Sequence, residues 1–169
     1  MNINTLTEWE DPMGAAIRDY HRQGKSAQLK VLSSLFDDDE MPVAHLFRSY
    51  DEMPPLEQRA LNEARGKVLD VGAGAGCHAL ALQERGLDVT AVDISPLSCE
   101  TMKERGVANV ACVNIFHPHF QERFDTLLLL MNGTGIAGKL SRLPQLLSRL
   151  KQLMNPGAQI LIDSSDLRY

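Results

Sequence analysis

Val68-Leu69-Asp70-Val71-Gly72-Ala73-Gly74-Ala75-Gly76 is the stretch whose reading decides the fold of this chain. An apolar run carrying one acid ends abruptly in glycines at alternate positions. This pattern predicts a buried strand and then a turn where residues without Cβ let backbone N–H groups come close to a ligand. The N-terminus of a helix follows. A second acid, Asp93, closes another apolar run (Leu87, Val89, Ala91, Val92). It stands about 20 residues beyond the first turn, where a nucleoside-binding α/β unit places a carboxylate on ribose hydroxyls. The two acids and the glycines together predict an adenosine-containing ligand.

Outward from this stretch the chain alternates strand and helix. Strand 67–72, helix 75–85 and strand 87–93 are followed by a helix that Ser95 caps, with Pro96 in its first turn and Gly106 as its stop. Strand 109–114 comes next, then a continuous apolar strand over 124–131, as expected where both sheet faces are covered. Helix 141–153 carries Leu143, Leu146, Leu147, Leu150 and Met154 as one stripe. Asn155-Pro156-Gly157 ends it, and 158–163 is the fifth strand. Repeated β-α-β-α units imply a doubly wound parallel α/β sheet, order 3-2-1-4-5, with the ligand at the carboxyl ends of the first and fourth strands.

The N-terminal third reads as a cap on that mouth. Residues 1–10 form a loose arm. Asp11-Pro12 then start a helix with Met13, Ala16, Ile17 and Tyr20 on one face and Gly24 as stop. Segments 28–35 and 41–47 pair as a β-hairpin around the acidic turn 36–40, with helix followed by loop as the alternative. Pro54-Pro55 open a further helix that buries Leu56, Ala60, Leu61 and Ala64. The expected division is a cap and lid over 1–66 and a ligand-binding core over 67–169.

Composition narrows the function. At 169 residues the chain makes one domain with a real core, and 44% hydrophobic with 23% charged residues excludes disorder. A net charge of −5 offers no basic field for nucleic acid or an anionic membrane. The apolar run 127–131 is too short to span a bilayer. Three scattered cysteines, with no apolar leader at the start, suit a reduced, cytoplasmic protein and not a zinc site. Cys77 reads as a small packing residue and His117-Pro118-His119 as a polar loop, with no metal expected.

The ligand's chemistry follows from the turn. A dinucleotide fingerprint is G-x-G-x-x-G, and here Cys77 holds its third glycine position. A pyrophosphate also tolerates no neighbouring anion, whereas Asp70 suits a ligand with a cationic group or holds the turn itself. Here the sequence resembles the class I S-adenosylmethionine-dependent methyltransferases, in residues 68–76 and in Ala91-Val92-Asp93-Ile94-Ser95. The stretch 150–157 looks like that family's turn into its fifth strand. The resemblance covers 67–163 and implies a Rossmann-like fold, S-adenosyl-L-methionine as cofactor and methyl transfer to a small-molecule acceptor. A non-catalytic cofactor-binding domain is the second reading and an NAD-dependent oxidoreductase the third. Family members usually continue into an antiparallel strand pair. With the chain ending at Tyr169, the fifth strand is expected to be an edge available to a second copy.

Carried onto this sequence, the resemblance places Gly72, Ala73 and Gly74 beneath the methionine part of the cofactor and Asp93 on the ribose. Ile94 lies against adenine, and Asn114 and Ile115 stand at the adenine edge, where Asp is more usual than Asn. Asp70 either reaches the amino group through water or holds the turn; Gly76 packs helix on strand. Met131 and Asn132 face the transferred methyl group, although Asn-Gly is also a plain turn signal. Arg48 and Tyr50, in Phe47-Arg48-Ser49-Tyr50, are candidates for the cofactor's carboxylate and sulfonium. Methyl transfer needs alignment, worth ~7–11 kcal/mol, more than a dedicated nucleophile. No catalytic residue is assigned.

Overall fold

The computed structural model describes residues 4–32 and 37–164. Residues 33–36 of the expected hairpin, and Tyr169, lie outside the described residues. Helix α1 (Pro12–Gln23) starts where Asp11 accepts the Gly14 N–H at 2.8 Å and ends at a left-handed Gly24. A short hairpin follows, β1 (Leu29–Val31) and β2 (Asp39–Met41), paired antiparallel. The strands are shorter than expected, and Val43–Phe47 is a 3-10 helix. Val43 is buried against Ala16 and Ile17, so packing on α1 takes that segment out of the hairpin.

Helix α2 (Pro55–Glu63) buries Leu61 but not Leu56, which is 62% exposed; Glu57 is turned inward instead. From there the core alternates as expected: β3 (Lys67–Val71), α3 (Cys77–Glu84), β4 (Asp88–Asp93), α4 (Pro96–Glu104), β5 (Asn109–Cys112), β6 (Phe124–Leu129), α5 (Leu143–Gln152) and β7 (Met154–Ile162). The five core strands are all parallel, in the order β5-β4-β3-β6-β7. This is the expected order 3-2-1-4-5. The β6–β7 register jumps from Phe124↔Met154 to Thr126↔Gln159. Asn155-Pro156-Gly157 therefore form a bulge within β7, not a turn ahead of it.

Period-two alternation sends side chains to two cores. Val68, Val89, Ala91 and Leu128 meet α2, α3 and α4 on one face. Leu69, Val71, Val92, Leu127 and Leu129 meet Leu146 and Leu150 of α5 on the other. The N-terminal segment is tied to the carboxyl end of this sheet and is not loose: Leu6 N–H donates to the Ile94 carbonyl at 2.9 Å. Buried Asp11 accepts the Ser95 hydroxyl, and Arg22 pairs with Glu100 and Glu104 of α4. Among the described residues, no helix is long and apolar enough to cross a membrane.

Candidate functional site

The turn after β3 is built as its glycines demand. Gly72, Gly74 and Gly76 all have positive φ, a region that residues with a Cβ enter at a cost. A Cβ on Gly76 would come within 3.0 Å of Met102 and Val107, so this glycine packs α3 against α4. At Gly72 the nearest atom to a Cβ would be Ile136 Cδ1 at 3.3 Å. Asp93, at the end of β4, ties the turn together. One carboxylate oxygen accepts the Gly74 N–H and the other the Ser95 N–H, both at 2.9 Å. Burial raises its pKa against those two hydrogen bonds.

Two recesses open at this end of the sheet. The larger, of about 400 Å³, is lined by apolar Ile94, Ile115 and Phe116, with Asn114 and Arg142. The smaller, of about 260 Å³, lies over the glycine turn and Asp70, beneath Leu6 and Met13 of the N-terminal segment. Gly72 and Asp93 line both. The structure thus brings Asp70, Gly72, Ala73, Gly74, Asp93, Ile94, Asn114, Ile115 and Met131 to the walls of two adjoining recesses.

Asp70 is 2% exposed, and its Oδ2 has no hydrogen-bond partner among the described residues. Burial pushes its pKa up to about 6; His78 opposes that rise and Asp93 adds to it. Nearby, Glu57 Oε2 receives Arg48 at 2.6 Å and His78 Nε2 at 2.8 Å. Burial alone would raise the Glu57 pKa, but the hydrogen bonds and charge of His78 and Arg48 hold it below the ordinary range. Burial and the Asp70 charge push the Cys77 thiol up to about 11, the behaviour of a packing cysteine and not a nucleophile.

After β6 the backbone takes an unusual path. Met131 and Asn132 have φ of 59° and 64°, a left-handed pair without glycine. Asp163 holds it: its carboxylate accepts the N–H groups of Met131 (3.0 Å), Asn132 (2.7 Å) and Gly133 (3.3 Å). Asp163 was not expected to be part of the site. The only signal was an acid closing the fifth strand, which reads equally well as a solvated end. The turn leaves the Met131 sulfur 3.6 Å from the Arg48 guanidinium.

Other expected residues are placed differently. Tyr50 lines neither recess; its hydroxyl donates to Asn62 of α2 at 3.0 Å. Asn132 and Arg48 also lie outside both linings, Arg48 being paired with Glu57. The Asn114 side chain accepts from Phe116 N–H at 3.1 Å and donates to the Asn4 carbonyl at 3.4 Å, so it holds the local turn and the arm. His117 and His119 sit ring to ring in a loop. Among the described residues no cluster of His, Cys, Asp or Glu is arranged to hold a metal.

A family model described as a methyltransferase domain matches residues 68–157. A SAM-dependent methyltransferase from Bacteroides fragilis, solved with S-adenosyl-L-homocysteine, is 55% identical across all of this chain, with a TM-score of 0.94. The chain belongs to the SAM-dependent methyltransferase family. It spans 70% of the Bacteroides protein's length. A sugar N-methyltransferase from Streptoalloteichus sp. shares the fold at 22% identity and TM-score 0.60, over 80% of this chain and 58% of its own. An amino pentose methyltransferase from Micromonospora echinaspora does so at 15% identity and TM-score 0.61, over 79% and 60%. Methyltransferase membership explains why the turn departs from the dinucleotide pattern at Cys77 and keeps an acid at Asp70.

Proposed function

We propose that this methyltransferase binds S-adenosyl-L-methionine across both recesses and transfers its methyl group to a small-molecule acceptor. The observation that carries this reading is the junction of the recesses at Gly72 and Asp93. A ligand with an apolar ring at one end and a charged tail at the other has to cross that point. Each Asp93 oxygen has given one lone pair to a backbone N–H and keeps another for a ribose hydroxyl. Ile94, Ile115 and Phe116 offer the adenine apolar surface.

The smaller recess suits the other end. Its walls carry the carboxylates of Asp11, Asp70 and Asp93 and no Lys or Arg, which favours a cation. The buried, unpartnered oxygen of Asp70 is an acceptor in want of a donor, and the cofactor's ammonium supplies one. Gly72, Ala73 and Gly74 let the tail lie close on the backbone, and Arg48, outside the lining but 3.6 Å from the Met131 sulfur that is part of it, is the candidate for its carboxylate. The cofactor contributes a methyl group already activated by a sulfonium. The chain contributes alignment and exclusion of water, with Met131 and its strained turn walling the reacting side.

The apolar lining from Leu6, Met13, Ile17, Met41 and Leu46 supports a small organic acceptor, and the net charge of −5 argues against nucleic acid. Among the described residues β7 is an edge of the sheet, and pairing of a second copy there is a proposal that light scattering tests. Calorimetric titration with S-adenosylmethionine, S-adenosylhomocysteine and NAD tests the main reading. Saturable binding of the first two without NAD supports it, and binding of NAD alone overturns it.

A further inference from the structure

Cys99 and Cys112 stand apart in sequence, one inside α4 and one closing β5, and the site described above uses neither. The fold brings them together. Period-two alternation along β5 sends Val110 into the core shared with α2, α3 and α4, and Ala111 into the core shared with α5. Cys112 therefore leaves the strand on the Val110 side, and Cys99 belongs to that same core. The Cys99 sulfur reaches within 4.0 Å of the Ala111 carbonyl oxygen, on the peptide that joins Ala111 to Cys112. Burial raises the Cys99 pKa, and the charges of Cys112 and Asp93 and a hydrogen bond between the two thiols add to the rise. The two side chains thus meet sulfur to sulfur, as a disulfide requires.

The two thiols differ in access. Cys99 is 2% exposed, whereas Cys112 lies open on edge strand β5. An exposed thiol reacts first, and a buried one beside it resolves the product. The pair also abuts the larger recess. Cys112 is the register partner of Asp93. The Asp93 carbonyl accepts the Cys99 thiol at 3.7 Å and the Val113 N–H at 3.0 Å. Val113 and Asn114, next along the chain from Cys112, line that recess together with Asp93 and Ile94. Whatever moves the end of β5 moves the recess wall.

We propose that Cys99 and Cys112 are a redox-responsive pair, which a low-molecular-weight disulfide of the glutathione class converts to an intramolecular disulfide that weakens cofactor binding. The Cys112 thiolate attacks one sulfur of the small disulfide, forming a mixed disulfide and releasing one thiol. Cys99, once deprotonated, attacks the Cys112 sulfur and expels the second. Two protein thiols are oxidised and one small disulfide is reduced to two thiols, which carry away the two protons. The second step is the slower, because burial disfavours the Cys99 thiolate, but the two sulfurs are already in place for it. The link removes the Cys99 bond to the Asp93 carbonyl and draws the end of β5 toward α4. Its effect on affinity rests on the cofactor reading above; the link itself does not.

The test incubates the reduced, folded wild-type chain with oxidised glutathione, blocks free thiols with N-ethylmaleimide and digests with trypsin, which cuts between the two cysteines at Lys103 and Arg105. Mass spectrometry should find the Cys99 and Cys112 peptides joined and Cys77 unlinked. Cys99→Ser should stop at a glutathione adduct on Cys112, and Cys112→Ser should take up none. Calorimetry should show the joined chain binding S-adenosylhomocysteine at least about fivefold more weakly, with recovery on adding dithiothreitol. A wild-type chain that ends as the Cys112 adduct, or that links through Cys77, would overturn the proposal. A joined chain that binds as tightly as the reduced one, or that has lost the circular dichroism of the native fold, would overturn it too. A reduced chain that binds no S-adenosylhomocysteine overturns the cofactor reading and the effect on affinity with it, while the peptide masses still decide the link.

Discussion

Replacing Asp70 by Asn removes a buried charge that no described residue neutralises by a hydrogen bond to Oδ2. Burial carries this carboxyl from an ordinary 3.8 to about 6. At 1.36 kcal/mol per pKa unit that rise corresponds to ~3 kcal/mol. The folded carboxyl holds its proton more tightly than the unfolded one, so the folded chain binds more protons between those two values. Stability therefore falls as pH rises through that window. The Asn variant does not titrate. Its unfolding free energy in urea, minus that of the wild type, should move in the variant's favour by ~3 kcal/mol from about pH 4 to about pH 7.5. An unpaired amide in the variant costs ~1–3 kcal/mol, but equally at both pH values, so it cancels. S-adenosylmethionine, added at saturation, should shrink the wild type's disadvantage at the higher pH, because its cationic end stabilises the ionised acid. Curves that stay parallel within ~0.5 kcal/mol would refute the reasoning and show Asp70 to be solvated or paired.

Asp93→Asn keeps the side chain's size and removes its charge, and calorimetry should show S-adenosylhomocysteine bound ~1.5–3 kcal/mol more weakly. Asp163→Ala strips the acceptor from three N–H groups on a left-handed turn. It should lower stability by ~1–3 kcal/mol and speed amide exchange at 131–133 above that at β3. Leu146→Ala empties a fully buried position between α5 and the sheet. It should cost ~2–5 kcal/mol in urea unfolding while leaving cofactor affinity unchanged.

The sheet was legible because its signals are local. A parallel strand covered on both faces reads as an apolar run, and Ser95-Pro96 or Asn155-Pro156-Gly157 mark boundaries within a few residues of where they occur. Asp93 was legible for the same reason, since its offset from the glycine turn is a property of one β-α-β unit. Glu57 and Asp163 were not, because no recurring motif fixes their offset from their partners: His78 and Arg48 for the first, the 131–133 backbone for the second. An acid on a helix face or at a strand end looks solvated until the fold delivers a donor to it. The arm at 4–10 misled likewise; its order comes from Leu6 bonding to Ile94 across the sheet, not from any periodicity. Tyr50 looked like a site residue by proximity to Arg48, yet Arg48 closes one 3-10 turn and Tyr50 opens the next, and its hydroxyl goes to Asn62.

A crystal structure of the chain with S-adenosylhomocysteine bears most directly on the central claim that one ligand spans both recesses through Gly72 and Asp93. The account predicts adenine between Ile94 and Ile115, ribose hydroxyls on the Asp93 carboxylate, and the amino-acid end over Gly74 facing Asp70. A ligand confined to either recess alone, or bound with Asp93 more than 4 Å from its ribose oxygens and so beyond hydrogen-bonding reach, would contradict it.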